Sequence, residues 1–351
     1  MGRKPQHRTT VFPAPNRAAR GMGAPLRMRH SRTAKPRGMH MDGWLRRATV
    51  VTLALGGSLL APSVPACSIC RCGDPTYNAL GNDGIGQEGW RLAVDGDRVE
   101  KTQGGGAEQE SLTEQRATLL VAYGLTERLG AFLRVPVSRR ELVSHEDGVT
   151  EHASATGLAD PDLALQWRLW SSPFEGDVGT RSRVYLVGGV KTAWGENDAR
   201  SADGRLDEHV QPGTGATDAF LGVAGSYQFD HATALVGSVQ YRHTGRNDHD
   251  YRYGRSTLLN VAFDRRLGPR WDVVLEANYR QAGRDETDSL GTRDPDTGGS
   301  ITYLTPRVLF DAGRGWVFRA SAQLPLYQHG LNGEQHEGAV VNVGLTYLPP
   351  R

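Results

Sequence analysis

The chain has 351 residues, 44 of them glycine, with 7% aromatics, a mean hydropathy of −0.48 and a formal net charge of +2. No apolar run approaches the roughly 18 residues that a membrane-crossing helix needs, so no segment can span a bilayer as a helix. A β-barrel is not excluded, because only every second strand residue faces lipid and the loops are polar.

The first 66 residues stand apart from the rest. They hold twelve Lys or Arg against one acid, Asp42, which leaves 29 basic and 38 acidic residues beyond them and a net charge there near −9. Residues 1–40 read as a basic leader, and a start at Met39 or Met41 would give a signal of ordinary length. Residues 41–66 read as a secretory signal: Trp44-Leu45-Arg46-Arg47, an apolar run from Ala48 to Ala61, then Val64-Pro65-Ala66 with cleavage after Ala66.

Residues 67–89 read as a periplasmic segment that opens with Cys67, Cys70 and Cys72, the only cysteines of the chain. An odd count in an oxidising compartment leaves at least one thiol over after pairing. Three chemistries compete there: acylation of Cys67, a Cys67–Cys70 disulfide that leaves Cys72, or a metal site in which the three thiolates hold Cu(I). A four-thiolate zinc or iron–sulfur site would need a ligand from elsewhere.

From Trp90 to Leu348 the pattern has a period of two, the signature of strands. Twelve strands are predicted: 90–100, 115–123, 129–137, 162–170, 183–194, 217–229, 232–243, 256–267, 269–283, 301–312, 316–327 and 341–347. The ninth shows the rule most clearly. Trp271, Val273, Leu275, Ala277 and Tyr279 alternate with Asp272, Val274, Glu276, Asn278 and Arg280. An apolar face closed at each end by an aromatic ring, opposite a charged face, suits lipid outside, water inside and rings at the two interfaces.

The connections alternate. Tight turns at 124–128, 230–231, 268–269 and 313–315, and a longer one at 171–182, are interleaved with polar stretches at 101–114, 138–161, 195–216, 244–255, 282–300 and 328–340. That is the pattern of an outer-membrane barrel, an all-β antiparallel barrel of about twelve strands with short periplasmic turns, long outer loops and both termini periplasmic. A soluble β-sandwich would have to bury the second face, which carries Arg116, Arg134, Arg168, Arg242, Asp264, Asp272, Glu276, Arg280, Arg307 and Arg319. Each unpaired ion in a dry core costs about several kcal/mol, a cost that lining a hydrated lumen avoids. Those ten residues are therefore the candidate lumen lining.

Two short segments, Gly157-Leu158-Ala159-Asp160-Pro161-Asp162-Leu163 and Pro212-Gly213-Thr214-Gly215-Ala216-Thr217-Asp218, resemble those of the outer-membrane transporter-like proteins associated with the meta-cleavage pathway of phenol degradation. The resemblance spans about 115–347 and implies a barrel that passes small organic compounds. The cysteine-rich opening and the ending Leu348-Pro349-Pro350-Arg351 depart from what that family leads one to expect.

Three function classes follow. The first is a channel or transporter passing small polar or organic solutes through a narrow charged lumen; twelve strands lie between filled eight-stranded barrels and open 16–18-stranded porins. Its partners are outer-membrane lipid, small-molecule solutes and the barrel-assembly machinery, with no nucleic acid. The second is a barrel that anchors a cysteine-based copper or redox segment, with His145, His152, His209, His243, His249, His329 and His336 as further loop donors. The third is a lipid hydrolase built on His152-Ala153-Ser154, which the polar setting of those residues disfavours. The overall expectation is no enzyme and no cofactor, with copper the one metal to test.

Overall fold

The computed structural model describes residues 89–349, apart from 106–107, 147–148, 174–179, 203, 296 and 331–335. The leader, the signal and the cysteine segment, residues 1–88, lie outside the described residues.

The strands in chain order are β1 (Gly89–Gly105), β2 (Glu108–Gly124), β3 (Leu129–Glu146), β4 (Val149–Leu158), β5 (Asp162–Pro173), β6 (Thr180–Lys191), β7 (Arg200–Ser201) and β8 (Gly204–Arg205). They continue as β9 (Asp218–Asp230), β10 (Thr233–His243), β11 (Ser256–Arg266), β12 (Trp271–Ala282), β13 (Gly299–Gly313), β14 (Trp316–Gly330), β15 (His336–Glu337) and β16 (Val340–Tyr347). Twelve of them, β1, β2, β3, β5, β6, β9 to β14 and β16, pair in sequence as antiparallel neighbours. The ring closes where β1 pairs with both β2 and β16, Leu92 facing Val121 on one side and Tyr347 on the other. All twelve predicted strands are present, and closure leaves no edge in the ring.

Lipid explains the outer face. Trp271 and Leu275 stand exposed on β12, while Glu276, Asn278 and Arg280 beyond them are buried. Trp271 and Tyr279 are eight residues apart, about 27 Å along a strand at roughly 3.4 Å per residue, or about 20 Å of height at a tilt of about 40°, which fits within an apolar band about 25 Å tall. At the short-turn end the rings gather: Trp90 on Tyr123 at 4.5 Å, Trp271 on Phe310 at 4.6 Å, Trp316 on Tyr347 at 4.6 Å and Tyr227 on Phe229 at 5.2 Å. The beginning of β1 and the end of β16 lie at this same end. The turn from β13 to β14 is tight because Gly313, Arg314 and Gly315 all have positive φ, a backbone that glycine adopts without steric cost.

Two stretches read as loops are strands instead. Residues 101–105 and 108–114 form the outer part of the β1–β2 pairing, with Glu114 facing Val99 and Gln109 facing Gly104. Residues 138–146 are the outer part of β3 and 149–158 are β4, with Ser138 facing Gly157 and His145 facing Thr150. Above the membrane a strand has no lipid to face, so its apolar alternation fades while its hydrogen-bond ladder continues. Asp95-Gly96-Asp97, which interrupts the sequence pattern of the first strand, is likewise regular β1 paired to β2 and β16.

The inner face is not polar throughout. Leu120, Phe132, Val187 and Phe220, with alanines from β1, β2 and β5, form a buried apolar cluster on the inner wall. The second apolar cluster sits above it, where Leu206 and Val210 of loop 192–217 pack on Ala155 of β4.

Candidate functional site: a charged lumen beneath an inward-folded loop

The chain breaks strand pairing at Ala159, Asp160 and Pro161, between β4 and β5. There Asp160 turns inward and becomes the anchor of loop 192–217. Its carboxylate accepts from Gly195 N at 3.0 Å, Thr214 N at 2.8 Å, Thr214 Oγ1 at 2.6 Å and Lys191 Nζ at 2.7 Å. Lys191 also donates to the Thr214 hydroxyl and to Ala216 O. The two glycine-rich segments that carry the family resemblance are therefore one tertiary element, the first supplying Asp160 and the second Thr214.

The glycines of these segments are required by close approach. A Cβ on Gly195 would lie 2.5 Å from Asp160 Oδ1, and one on Gly213 would lie 2.7 Å from Gly195 Cα. Gly215 combines φ +64 with a Cβ position that Asn197 already fills. Further along, the β3 wall takes up the same loop: Ser138 Oγ donates to Pro212 O at 3.2 Å, and Arg140 donates to His209 O at 3.1 Å and Gln211 O at 2.7 Å. Val210 and Gln211 are fully buried as a result.

Beneath the loop lies a cavity of about 110 Å³, lined by β-strand side chains and by Pro212, Gly213 and Thr214. That is room for several water molecules. Its walls are tied by ion pairs. Arg134 meets Asp162 at 2.5 Å, and Arg242 reaches Asp162 at 3.6 Å and Asp218 at 3.8 Å. Asp162 starts β5 and Arg242 lies next to the end of β10, so that contact crosses β6 and β9. Arg319 on β14 meets Asp95 on β1 at 2.9 Å across β16, and Arg307 meets Glu276 at 3.0 Å. Arg116 approaches Glu114 at 3.4 Å, and Arg280 joins Glu337 at 2.9 Å beside Lys101 at 3.3 Å.

The ten residues read from the sequence as lumen lining occupy three levels. Arg116, Arg134, Arg242, Arg307 and Arg319 line the cavity. Glu276 and Arg280 are buried within the barrel beside them, each with the partner given above. Arg168, Asp264 and Asp272 sit half-buried towards the short-turn end, where Asp272 pairs with the exposed Arg266 at 3.0 Å. Sequence reasoning missed Asp160, Asp95, Glu114, Arg140 and Glu337. Asp95, Glu114 and Arg140 share the inward parity of known neighbours, a usable signal once their segments are recognised as strands. Asp160 carried no periodic signal, because it lies in a break.

Outside the membrane the loops interlock. Asn247 donates to Glu208 Oε2 at 3.2 Å and to Thr214 O at 3.1 Å, and the Tyr253 hydroxyl donates to Glu208 O at 2.9 Å. Asp285 accepts from the Tyr251 hydroxyl and from Gly254 N, both at 2.7 Å. Burial pushes the Asp285 carboxyl above its ordinary value, against the lowering effect of His209 and of those two hydrogen bonds. His152 and Ser154 lie exposed on β4 rather than in a loop. Among the described residues no group of three or more His, Cys, Asp or Glu is placed to hold a metal ion. Cys67, Cys70 and Cys72 lie outside the described residues.

A closed twelve-stranded antiparallel ring with a lipid-facing exterior and a charged interior is the architecture of an outer-membrane β-barrel. The chain belongs to the family described as the putative MetA-pathway of phenol degradation, whose sequence profile matches residues 101–331. Among solved structures it is similar to an outer membrane channel from Pseudomonas putida F1, with a TM-score of 0.57 and 12% identity over 74% of this chain and 94% of that one. More distant are the translocator domain of the autotransporter NalP from Neisseria meningitidis (TM-score 0.45, 12% identity, 88% and 98% covered) and the CymD monoaromatic hydrocarbon channel (TM-score 0.40, 12% identity, 81% and 97% covered). No curated protein matches the chain.

Proposed function

We propose that this outer-membrane barrel is a channel for small polar or organic solutes, with loop 192–217 as the element that restricts its lumen. The observation that carries the reading is the charged cavity bounded by the barrel wall and by Pro212, Gly213 and Thr214. A barrel that served only as a membrane anchor would need no such space, and charged groups around it keep it hydrated. The short-turn end faces the periplasm in this reading, as in bacterial barrels generally, so both ends of the described ring face it too. The barrel-assembly machinery would then meet the chain from that side.

Transport rather than catalysis is the activity inferred, because the buried charged groups line a cavity inside the barrel and not a cleft open to lipid. The test is single-channel recording with the full-length protein, extracted from membranes and inserted in planar bilayers. Discrete salt-dependent current steps are expected, together with larger steps when residues 197–211 are replaced by a short Gly/Ser linker. A folded barrel that stays silent with the loop removed would sink the channel reading.

A further inference from the structure

Resting on the channel reading, we infer that the lumen cavity is a binding station for a small oxyanion, and that the preferred solutes are anionic organic acids or phosphate-like anions rather than neutral molecules. Its described lining holds seven basic residues against five acidic ones, with Asp218 and Glu276 pairing with Arg242 and Arg307 from just outside it. The more telling feature is how two of the guanidinium groups are held. The side chains of Arg242 and Arg319 are only 7% and 6% exposed. Each is pinned by its terminal nitrogens, Arg242 on Asp162 and Asp218, Arg319 on both oxygens of Asp95. The Nε of each is buried with no acceptor among the described residues.

A buried donor without an acceptor is unfavourable, and the gap is filled by water or by a ligand that brings oxygen lone pairs. Charged guanidinium donors favour carboxylate or phosphate oxygens over neutral acceptors. The wall makes room for one of those guanidinium groups: a Cβ on Gly344 of β16 would sit 2.2 Å from Asp95 Oδ1 and 3.2 Å from Arg319 Nε, so the missing side chain leaves the space that the Asp95–Arg319 pair fills. A neutral apolar solute entering the cavity would cover these donors and satisfy none of them.

The test titrates the full-length protein in detergent at low salt with acetate and, separately, with inorganic phosphate, followed by calorimetry. Saturable binding of one of them is expected, and which one binds separates a carboxylate preference from a phosphate preference. The Asp95→Asn/Arg319→Gln double substitution, which removes the donor without stranding a charge, and Arg242→Gln should each weaken that binding at least tenfold. Arg319→Lys keeps the pair with Asp95 and loses the Nε donor, so it should weaken binding as well. Heat-modifiable electrophoretic mobility checks that each variant remains a barrel.

Absence of saturable binding for both anions, or binding that survives all the substitutions, overturns the station. Planar-bilayer recording keeps the two readings apart. Current with a reversal potential at zero in a salt gradient and no anion block leaves a channel without this station. Anion binding in a barrel that never conducts leaves the station and removes the channel.

Discussion

The short-turn half and the loop half of this barrel are built on different physics. Below, each strand faces lipid on one side, and the outer residues are apolar because bilayer and aromatic interface demand it. Above, strands, loops and charges meet one another or water, and order comes from contacts between residues far apart in sequence. Asp160 reaches Thr214, Tyr251 reaches Asp285, and Arg280 reaches Glu337. The lower half can therefore be changed residue by residue with local consequences, whereas a single change above can release a whole loop.

Leu→Arg substitutions should separate the halves most sharply. Leu275→Arg places a cation at mid-strand on the lipid face and should cost about 2–4 kcal/mol. Leu290→Arg, at a loop position that is 91% exposed, should stay within about 0.5 kcal/mol. Urea unfolding from lipid vesicles measures both. Equal effects would mean that Leu275 does not face lipid.

Asp160→Asn probes the loop half at a comparable cost. It keeps the side-chain shape but turns one acceptor into a donor facing Lys191, Gly195 N and Thr214, and breaking a buried pair of this kind costs about 3–5 kcal/mol. The ring's own pairing should survive, so the expected outcome is a several-fold rise in single-channel conductance with barrel mobility on gels unchanged. Gly213→Val asks the same question by bulk rather than charge, since its Cβ would lie 2.7 Å from Gly195 Cα. It should raise conductance in the same direction by a smaller factor. Unchanged conductance in both variants would show that loop 192–217 does not restrict the lumen.

The smallest effect concerns pH. Because burial holds the Asp285 carboxyl above its ordinary value, the folded loops bind this proton more tightly than the unfolded ones do. Its contribution to loop stability is greatest in acid, below the ordinary carboxylate value, and is lost as pH rises through the raised value. Protease cleavage within 244–255 should accordingly be slower at pH 4.5 than at pH 7.5. Asp285→Asn should flatten that difference. A pH profile unaffected by the substitution would place the dependence on another group.

The legibility of the sequence followed the same division. Lipid acts on every second residue, so Leu163, Leu165 and Trp167 or Trp271, Val273 and Leu275 announce their strands. The turns at 230–231 and 313–315 stand out through Asp and Gly. Once the strand leaves the membrane that pressure ends, and residues 101–105, 108–114, 138–146 and 149–158 look like loops although they are paired as strands. Inward parity also brought the ten charged candidates into view without saying which of them meet.

By itself the sequence determined the number of crossing strands, the side each turns to lipid and the alternation of short and long connections, because each depends on a residue and its near neighbours in a layered solvent. Only the tertiary structure decided that β1 closes on β16, that Arg242 reaches Asp162 over two intervening strands, and that the two glycine-rich segments meet at Asp160. Those contacts depend on the curvature and stagger of a closed sheet, which no local stretch of chain encodes.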